Sequence, residues 1–218
     1  MSEKSFLQNI IVNKHYRPLL YLSTVFTIFV GFLLMFAVCD KSSPTGLSDT
    51  VMEWVGTWRT ATQPVLPYYM PPNPGLTNNT LRQIVCVSLG GDSIQVRFSN
   101  EYGESPVTFN AVHIAVSGGG SFIRPETDKA LTFSGDTSVI IDAGTTIISD
   151  PLYFEMEPRT NVAITIYFGE LPENLTGHHG SRTYSYIVEG NAVSSIDFSN
   201  AKKKMAWYYI AGIDVMAD

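Results

Sequence analysis

Apolar and polar residues alternate along several short stretches of the chain after residue 50. In the stretch 93–99, Ile94, Val96 and Phe98 are apolar and the residues between them are polar or charged. The stretch 162–168 has a similar alternation, which places large apolar side chains on one face of a β-strand. No window after residue 40 shows ten or more residues of helical periodicity. The pattern predicts an all-β domain.

Clusters of turn-forming residues separate these stretches. The cluster Gly90-Gly91-Asp92 stands directly before 93–99 and predicts a hairpin there. Nine or ten short strands at this spacing favour an antiparallel β-sandwich or jelly roll. The other strand-like runs are 53–60, 81–89, 107–117, 130–133, 138–142, 145–149, 183–188 and 205–215.

The run 205–215 is unusual because it is apolar on both faces. One face joins the sandwich core, and the other needs a cover. In one alternative a neighbouring domain supplies that cover. The uncovered side chains here, Tyr208 with Ile210 or Trp207 with Tyr209, would then form an exposed apolar patch. In the other alternative the two long loops at 63–79 and 169–181 fold over this face.

The first forty residues have a different pattern. Residues 19–38 form twenty consecutive uncharged positions, which as a helix would be about 30 Å long and able to cross the hydrocarbon core of a membrane. Lys4, Lys14 and Arg17 precede this segment. Because positive residues stay on the cytoplasmic side, the sequence predicts one N-terminal membrane-targeting helix and export of the rest.

The end of this segment leaves two alternatives open. Residues 36–39 resemble a bacterial lipobox, which predicts lipidation of Cys39. Alternatively the segment is an uncleaved signal anchor, and Cys39 is an apolar residue at its end. Both give a bacterial protein anchored at the cell membrane, in the periplasm or at the cell surface. The predicted organisation is a signal peptide or anchor at 1–39, a linker at 40–50 and a β-sandwich at 51–218.

Charge and cysteine content narrow the classes of partner. The chain has 20 acidic and 14 basic residues, and without residues 1–39 the balance is 19 to 11, a net charge of −8. Such a body argues against binding to a phosphate backbone, so nucleic acid is excluded as a partner. The basic run Lys202-Lys203-Lys204 is interpreted as a solvated turn. Cys86, in an apolar run, is interpreted as a buried small hydrophobe.

Candidate binding residues lie in the long loops. Tyr68 and Tyr69, in the proline-rich loop 63–79, are the best candidates for stacking on a ligand, with packing over a sheet end as the alternative. Trp54 and Trp58 are four residues apart and are expected to pack into the core. His178-His179 is interpreted as a polar loop tip, since adjacent residues of an extended chain point to opposite sides. We predict neither a metal site nor a cofactor.

Six stretches together resemble one family, in this order: WVGTW (54–58), NTLRQIV (79–85), VSLGGD (87–92), RFSNEYG (97–103), ALTFSG (130–135) and SDP (149–151). They are similar to the N-terminal β-sandwich accessory domain of secreted SGNH/GDSL-type esterases. The resemblance covers about residues 52–216. In that family a hydrolase domain follows, and it carries the catalytic Gly-Asp-Ser motif; this chain stops at Asp218.

Gly91-Asp92-Ser93 spells the nucleophile motif in the wrong place, because Ser93 opens an alternating strand. The family's Gly-x-Asn-Asp and Asp-x-x-His blocks do not occur after it. The resemblance thus implies a non-catalytic accessory domain, carbohydrate-binding or docking, with the membrane, a glycan or a separate SGNH hydrolase domain as partner. The alternative is the N-terminal half of a split or truncated GDSL-type acetylesterase or lipase.

Overall fold

Strands dominate the part of the chain that the structure describes. The computed structural model describes residues 52–217, of which 52% lie in strands and 4% in helical turns. The all-β prediction is confirmed, and the strand pairings among these residues are antiparallel. Within this range no helix has the length and apolar character needed to cross a membrane. The predictions on residues 19–38, on Cys39 and on the linker 40–50 lie outside the described residues.

Sixteen strands and two short 3₁₀ turns are found within residues 52–217. The 3₁₀ turns are Pro67–Tyr69 and Pro125–Thr127. The strands are β1 (Glu53–Arg59), β2 (Gln63–Pro64), β3 (Asn79–Cys86), β4 (Gly91–Ser99), β5 (Val107–Gly119), β6 (Phe122–Ile123), β7 (Lys129–Ala130), β8 (Val139–Ile141), β9 (Thr146–Ile148), β10 (Leu152–Met156), β11 (Asn161–Phe168), β12 (Thr176–His179), β13 (Ser185–Glu189), β14 (Lys202–Lys204), β15 (Ala206–Tyr208) and β16 (Ile210–Ala217).

These strands form three sheets. Sheet I has the order β1-β16-β4-β10, and β9 also pairs with β4. Sheet II has the order β14-β13-β3-β11-β5-β6, and β7 and β8 also pair with β5. Sheet III is small, with the order β15-β12-β2. Sheet III consists largely of segments from the two long loops, whose short pairings leave no alternation to read in the sequence.

Sheets I and II share one hydrophobic core, which gives a sandwich-like arrangement. The ring of Phe98, on β4 of sheet I, meets the ring of Phe109, on β5 of sheet II, edge to face at 5.3 Å between centroids. Phe109 meets Phe168 of β11 in the same way at 5.2 Å. All three rings are fully buried, and the predicted inward positions Ile94, Val96 and Phe98 are confirmed. The jelly-roll assignment stays a prediction.

Two predictions of burial are wrong. Cys86 is exposed, because it is the last residue of β3 and follows Val85, which points into the core. Trp54 is 37% exposed. A register shift between Gly56 and Trp58 breaks the simple alternation of β1 against β16, and Thr57 is buried instead of either tryptophan. Trp58 is half-buried at the edge of the core.

Two predicted turns are also wrong. Residues 90–92 do not join a hairpin, because β3 belongs to sheet II and β4 to sheet I. This connection crosses from one sheet to the other. Lys202–Lys204 is a short edge strand, β14, which pairs with Ser185–Ile187 of β13.

The run 205–215 is two strands rather than one. Tyr209 separates β15 from β16 and has a φ of 62°. Both Tyr208 and Tyr209 are fully buried, and Ile210 is buried with them. The Tyr209 amide donates to the Thr176 carbonyl at 3.0 Å, and the Tyr208 hydroxyl donates to the Tyr69 carbonyl at 2.6 Å. The two long loops therefore cover this run, as one alternative predicted, and the expected exposed patch is wrong.

The stretch 97–103 has a structural role centred on Asn100, which is fully buried. Its side-chain Nδ2 donates to the carbonyls of Ser105 and Ile141, both at 3.0 Å. Its amide donates to the Thr145 carbonyl at 2.8 Å, and its own carbonyl accepts from Gly103 and Gly144. Asn100 thus holds two loops, 101–106 and 142–145, against the end of β4.

Asp150 holds a tight turn in a comparable way. Its carboxylate accepts hydrogen bonds from the amides of Ser134 and Gly135, at 2.9 and 2.8 Å, and from the Thr132 hydroxyl at 2.7 Å. Ser134 and Gly135 have φ values of 54° and 91°, which suit a two-residue hairpin turn. These hydrogen bonds, that of Gly135 first, favour the ionised carboxylate and lower the pKa of Asp150.

We expect the contribution of Asp150 to stability to depend on pH. A carboxyl group whose folded pKa is lowered contributes fully above its unfolded pKa, about 3.9 for Asp, and the contribution is lost as pH falls through the folded value. Urea unfolding of wild type and Asp150→Asn should therefore show a lower midpoint for the variant at pH 7 and a smaller difference near pH 3. An equal difference at both pH values would contradict this role.

Candidate functional site

A groove of about 620 Å³ opens beside the 3₁₀ turn Pro67–Tyr69. One wall is Tyr68 and Tyr69 on that turn. The opposite wall comes from residues 180–184, between β12 and β13, and from residues 203–205, where β14 leads to β15. Its described lining contains no acidic residue. Apart from Met205 and Gly180, the lining residues are aromatic or basic: Tyr68, Tyr69, Arg182, Tyr184, Lys203 and Lys204. We call it the tyrosine groove.

Tyr68 is the most prominent side chain of this groove, since it is 79% exposed. Its ring stands edge to face against that of Tyr69, with centroids 5.1 Å apart. Pro67 begins the turn, and the fixed φ of proline limits the entropy lost in holding the turn. The Lys204 ammonium donates to the Tyr68 carbonyl and lies 4.7 Å from the centre of the Tyr68 ring. Tyr68 is thus exposed and also held in place.

Behind Tyr69 lies a row of aromatic rings that reaches into the body of the domain. The Tyr69 ring stacks on His179, with centroids 4.3 Å apart and planes at 13°. The His178 ring lies 6.5 Å from that of His179 and 5.9 Å from that of Trp207, centroid to centroid. Trp207 meets Trp58 edge to face at 5.0 Å. The position of Tyr69 therefore depends on sheet III, which contains His178, His179 and Trp207.

Buried hydrogen bonds hold the backbone of Tyr69 and of Tyr208 in place. The Tyr208 hydroxyl donates to the Tyr69 carbonyl at 2.6 Å. Burial raises the pKa of Tyr208, so the hydroxyl keeps its proton and remains a donor. The backbone of Tyr208 is in turn held by the fully buried Gln83, whose amide group donates to its carbonyl at 3.0 Å and accepts from its N–H. The wall is connected to β3 of sheet II through two side chains.

The opposite wall contains a residue in an unfavourable backbone conformation. Arg182 is exposed and has a φ of 57°, a region that non-glycine residues adopt rarely. Within residues 52–217 its guanidinium takes part in no ion pair. Tyr184, two residues further, is 47% exposed. As far as residues 52–217 are concerned, this wall therefore offers the groove an unpaired cation, Arg182, and an exposed aromatic ring, Tyr184.

The structure brings the two predicted binding residues into one groove and adds others. Tyr69 packs over sheet III, as the packing alternative predicted for it. Tyr68 is exposed, and its stacking on a ligand stays a prediction. Sequence reasoning missed Arg182, Tyr184, Lys203 and Lys204 as part of the site. The only sequence signal is the basic run 202–204, whose pattern predicts a turn. It gives no indication that Lys204 contacts Tyr68, 136 residues earlier in the chain.

Residues considered for catalysis or metal binding lie elsewhere or are otherwise engaged. Ser93 is on β4 opposite Tyr153 of β10, and no histidine among residues 52–217 hydrogen-bonds to its hydroxyl. His113 pairs with Asp128 at 2.9 Å. His178 Nδ1 lies 2.8 Å from the Ala61 carbonyl. No group of three metal-ligating side chains was found within the described part of the chain.

Comparison with known proteins gives no family assignment. No protein-family model matches the chain, and no curated protein matches it. The function is therefore argued from the tyrosine groove.

Proposed function

We propose that this chain is a non-catalytic accessory module that binds a glycan in the tyrosine groove. The observation that carries the proposal is the exposed Tyr68 ring, held on a proline turn and backed by a row of stacked rings. Tyr68 does not stand alone, because Tyr69 and Tyr184 line the same groove, and grouped exposed aromatic surface of this kind is typical of binding sites. A ligand that stacks there loses little of its binding energy to ordering the protein.

A sugar suits this groove in shape and in polarity. One face of a pyranose ring is covered by C–H groups and packs on an aromatic face, while its hydroxyl groups project from the rim. Tyrosine matches both features, because its ring is apolar and its hydroxyl is polar. Tyr68 and Tyr184 both line the groove, so each can stack on a sugar of the same chain.

The proposal is tested by binding of the full chain to a panel of immobilised polysaccharides, in a detergent without a sugar head group. We expect Tyr68→Ala to weaken retention on the preferred glycan about tenfold, as for a central aromatic contact. Tyr153→Ala is the matched control, because Tyr153 is 61% exposed on β10 and also has a lysine beside its ring. Equal weakening by both variants, or retention on no glycan, would refute glycan binding in this groove.

The proposal places the module outside the cytoplasmic membrane, tethered by its first forty residues. It rests on the uncharged segment 19–38 behind three basic residues. Protease added to spheroplasts should digest the domain, and full protection would refute this orientation. If Cys39 is lipidated, labelled palmitate enters the wild type and not Cys39→Ala. Equal size and labelling of the two proteins would instead favour an uncleaved signal anchor.

Association with an esterase is the part of the proposal that rests on the ordered motifs of the sequence. It predicts that the chain alone hydrolyses nothing, since the resemblance assigns catalysis to a different domain. Purified chain should release no nitrophenol from p-nitrophenyl acetate above buffer and should not react with a fluorophosphonate probe. Labelling that disappears in Ser93→Ala would contradict this. Downstream DNA encoding an apolar strand and then Gly-Asp-Ser would favour the split-esterase alternative.

A further inference from the structure

The tyrosine groove concentrates positive charge in an acidic protein. Acidic residues outnumber basic ones by 20 to 14 in the chain, yet Arg182, Lys203 and Lys204 line this groove without an acidic residue among its described lining. Lysines on an edge strand such as β14 also discourage pairing with other chains. That role does not extend to Arg182, which lies outside β14, on the segment between β12 and β13.

The three cations differ in how far the protein itself uses them. Lys204 is engaged with the Tyr68 carbonyl. The Lys203 ammonium lies 5.6 Å from the Tyr186 ring, a contact that leaves its hydrogen-bond donors unused. Arg182 forms no ion pair within residues 52–217. Among the described residues, no protein acceptor uses the donors of Arg182 or Lys203, so both have donors for a ligand.

Arg182 also occupies its position at an energetic cost. A left-handed backbone conformation is unfavourable for a non-glycine residue, and glycine would adopt it freely. Glycine does stand two residues earlier, at Gly180, with a φ of 80°. Four other non-glycine residues among 52–217 share this conformation, so Arg182 is singled out by its exposed cation on the groove wall.

From these observations we infer that the ligand is an anionic polysaccharide, whose sugars carry a carboxylate or a phosphate group. This inference rests on the proposed function. Tyr68 and Tyr184 stack on the sugar rings, while Arg182 and Lys203 pair with the acidic substituents. Arginine suits both groups, because its planar guanidinium matches two oxygens of either one.

Other anionic polymers fit this groove less well. An acidic peptide offers carboxylates and no flat saccharide ring for Tyr68. Nucleic acid would offer both bases and phosphates, but the chain's net charge of −6 opposes the approach of a continuous phosphate backbone. A polysaccharide with spaced charges meets the positive groove and is repelled less by the acidic remainder.

The test compares ligands that differ only in charge, titrated into the full chain at low salt. The carboxylate pair is oligogalacturonate and its methyl ester, and the phosphate pair is an oligomannose with and without a 6-phosphate. We expect the charged member of one pair to bind about tenfold more tightly than its neutral counterpart, the combined effect of two exposed charge pairs. Whichever pair shows this identifies the acidic group.

Variants separate the groove from net charge. Arg182→Gln with Lys203→Gln should abolish the preference for the charged member. Arg159→Gln with Lys129→Gln is the matched control: it removes the same charge elsewhere, and Arg159 has a similar φ of 62°. This control should keep the preference.

Each contrary result has a distinct meaning. Equal wild-type affinity for charged and neutral members would overturn the inference and leave glycan binding intact. Loss of the preference in the control variant would overturn it too. Tighter binding of polyglutamate than of any charged glycan would overturn it in favour of an acidic peptide. Binding to no member of either pair, together with no retention on the polysaccharide panel, would refute the proposed function itself.

Discussion

Arg82→Met should destabilise the domain by about 3 kcal/mol, because it leaves the buried Ser121 carbonyl and the buried Thr165 hydroxyl without a hydrogen-bond donor. Arg82 is fully buried on β3. Its guanidinium donates to the carbonyls of Ser121 and Ser195 at 2.7 and 2.6 Å and to the Thr165 hydroxyl at 2.9 Å. It also lies 4.0 Å from the centre of the Phe198 ring. These contacts hold the segment 190–201 on the outer face of sheet II.

The cost of burying the charge limits the size of this effect. Burial lowers the pKa of Arg82 to about 10, although Asp128 and Asp197 act in the opposite direction. Replacing the cation by an apolar side chain removes that desolvation cost. The unsatisfied acceptors outweigh this gain, since each buried polar group left unpaired costs about 1–3 kcal/mol. Arg82→Lys should be intermediate, because one ammonium cannot reach all these acceptors.

Urea unfolding followed by tryptophan fluorescence measures this loss, as all three tryptophans of the chain lie in the described domain. Arg159→Met is a control at an exposed arginine. Hydrogen exchange of residues 190–201 should rise in Arg82→Met before the rest of the domain is affected. A variant within about 0.5 kcal/mol of wild type, the range of ordinary surface substitutions, would contradict the assigned role.

Gly177→Ala should disturb the tyrosine groove and the stability together. Gly177 lies in the middle strand of sheet III, opposite Tyr208 on one side and Gln63 on the other. A Cβ atom there would lie 2.6 Å from the Trp207 carbonyl oxygen and 2.7 Å from Val65 Cγ2. Such contacts force β12 away from β15, at a cost of about 1–3 kcal/mol. Tyr68 and Tyr69 come shortly after β2 in the chain, and the other groove residues directly follow β12 or precede β15. A displaced β12 should therefore disturb the groove, and we also expect weaker glycan binding.

Gly56→Ala is the matched control, since Gly56 is also a strand glycine. A Cβ there meets only the flexible Arg59 guanidinium, at 3.4 Å. Urea unfolding and glycan titration of the two variants give both readouts. Unchanged affinity in a folded Gly177→Ala protein would show that sheet III does not position the groove.

The alternation of apolar residues predicted the all-β class and the core positions of β4 and β11. These two strands are long, eight or nine residues each, so the period of two is visible in the sequence. It failed where pairing is brief. Strand β2 has two residues and β12 has four, too few to show a period. The break at Tyr209 was missed because a left-handed tyrosine has no sequence signature.

Charge patterning was informative for the whole chain and misleading locally. Net acidity predicts that a continuous phosphate backbone is not a partner, which stays a prediction. It gave no indication that cations would gather around Tyr68. The groove is made from three segments far apart in the chain, so only the tertiary structure shows it. Arg82 was missed for a related reason: an arginine in a strand is ordinarily exposed, and its hydrogen-bond partners Ser121 and Ser195 lie 39 and 113 residues away.

The motifs that carry the family resemblance are explained by structure within the domain. Asn100 and Asp150, from the stretches 97–103 and 149–151, each bind backbone groups of neighbouring loops. Residues of this kind stabilise loops within the domain, and the resemblance to esterase accessory domains stays a prediction. The binding proposal depends instead on the tyrosine groove, which none of these motifs includes.

The most direct test of glycan binding is ¹⁹F NMR of the full chain labelled with 3-fluorotyrosine, with resonances assigned by Tyr→Phe variants. The chain has 11 tyrosines, which report on the groove and on distant surfaces in one spectrum. Addition of the preferred glycan should shift the signals of Tyr68 and Tyr184 and leave that of Tyr153 on β10 unchanged. A shift of Tyr153 with Tyr68 and Tyr184 unmoved would contradict a glycan site in the tyrosine groove.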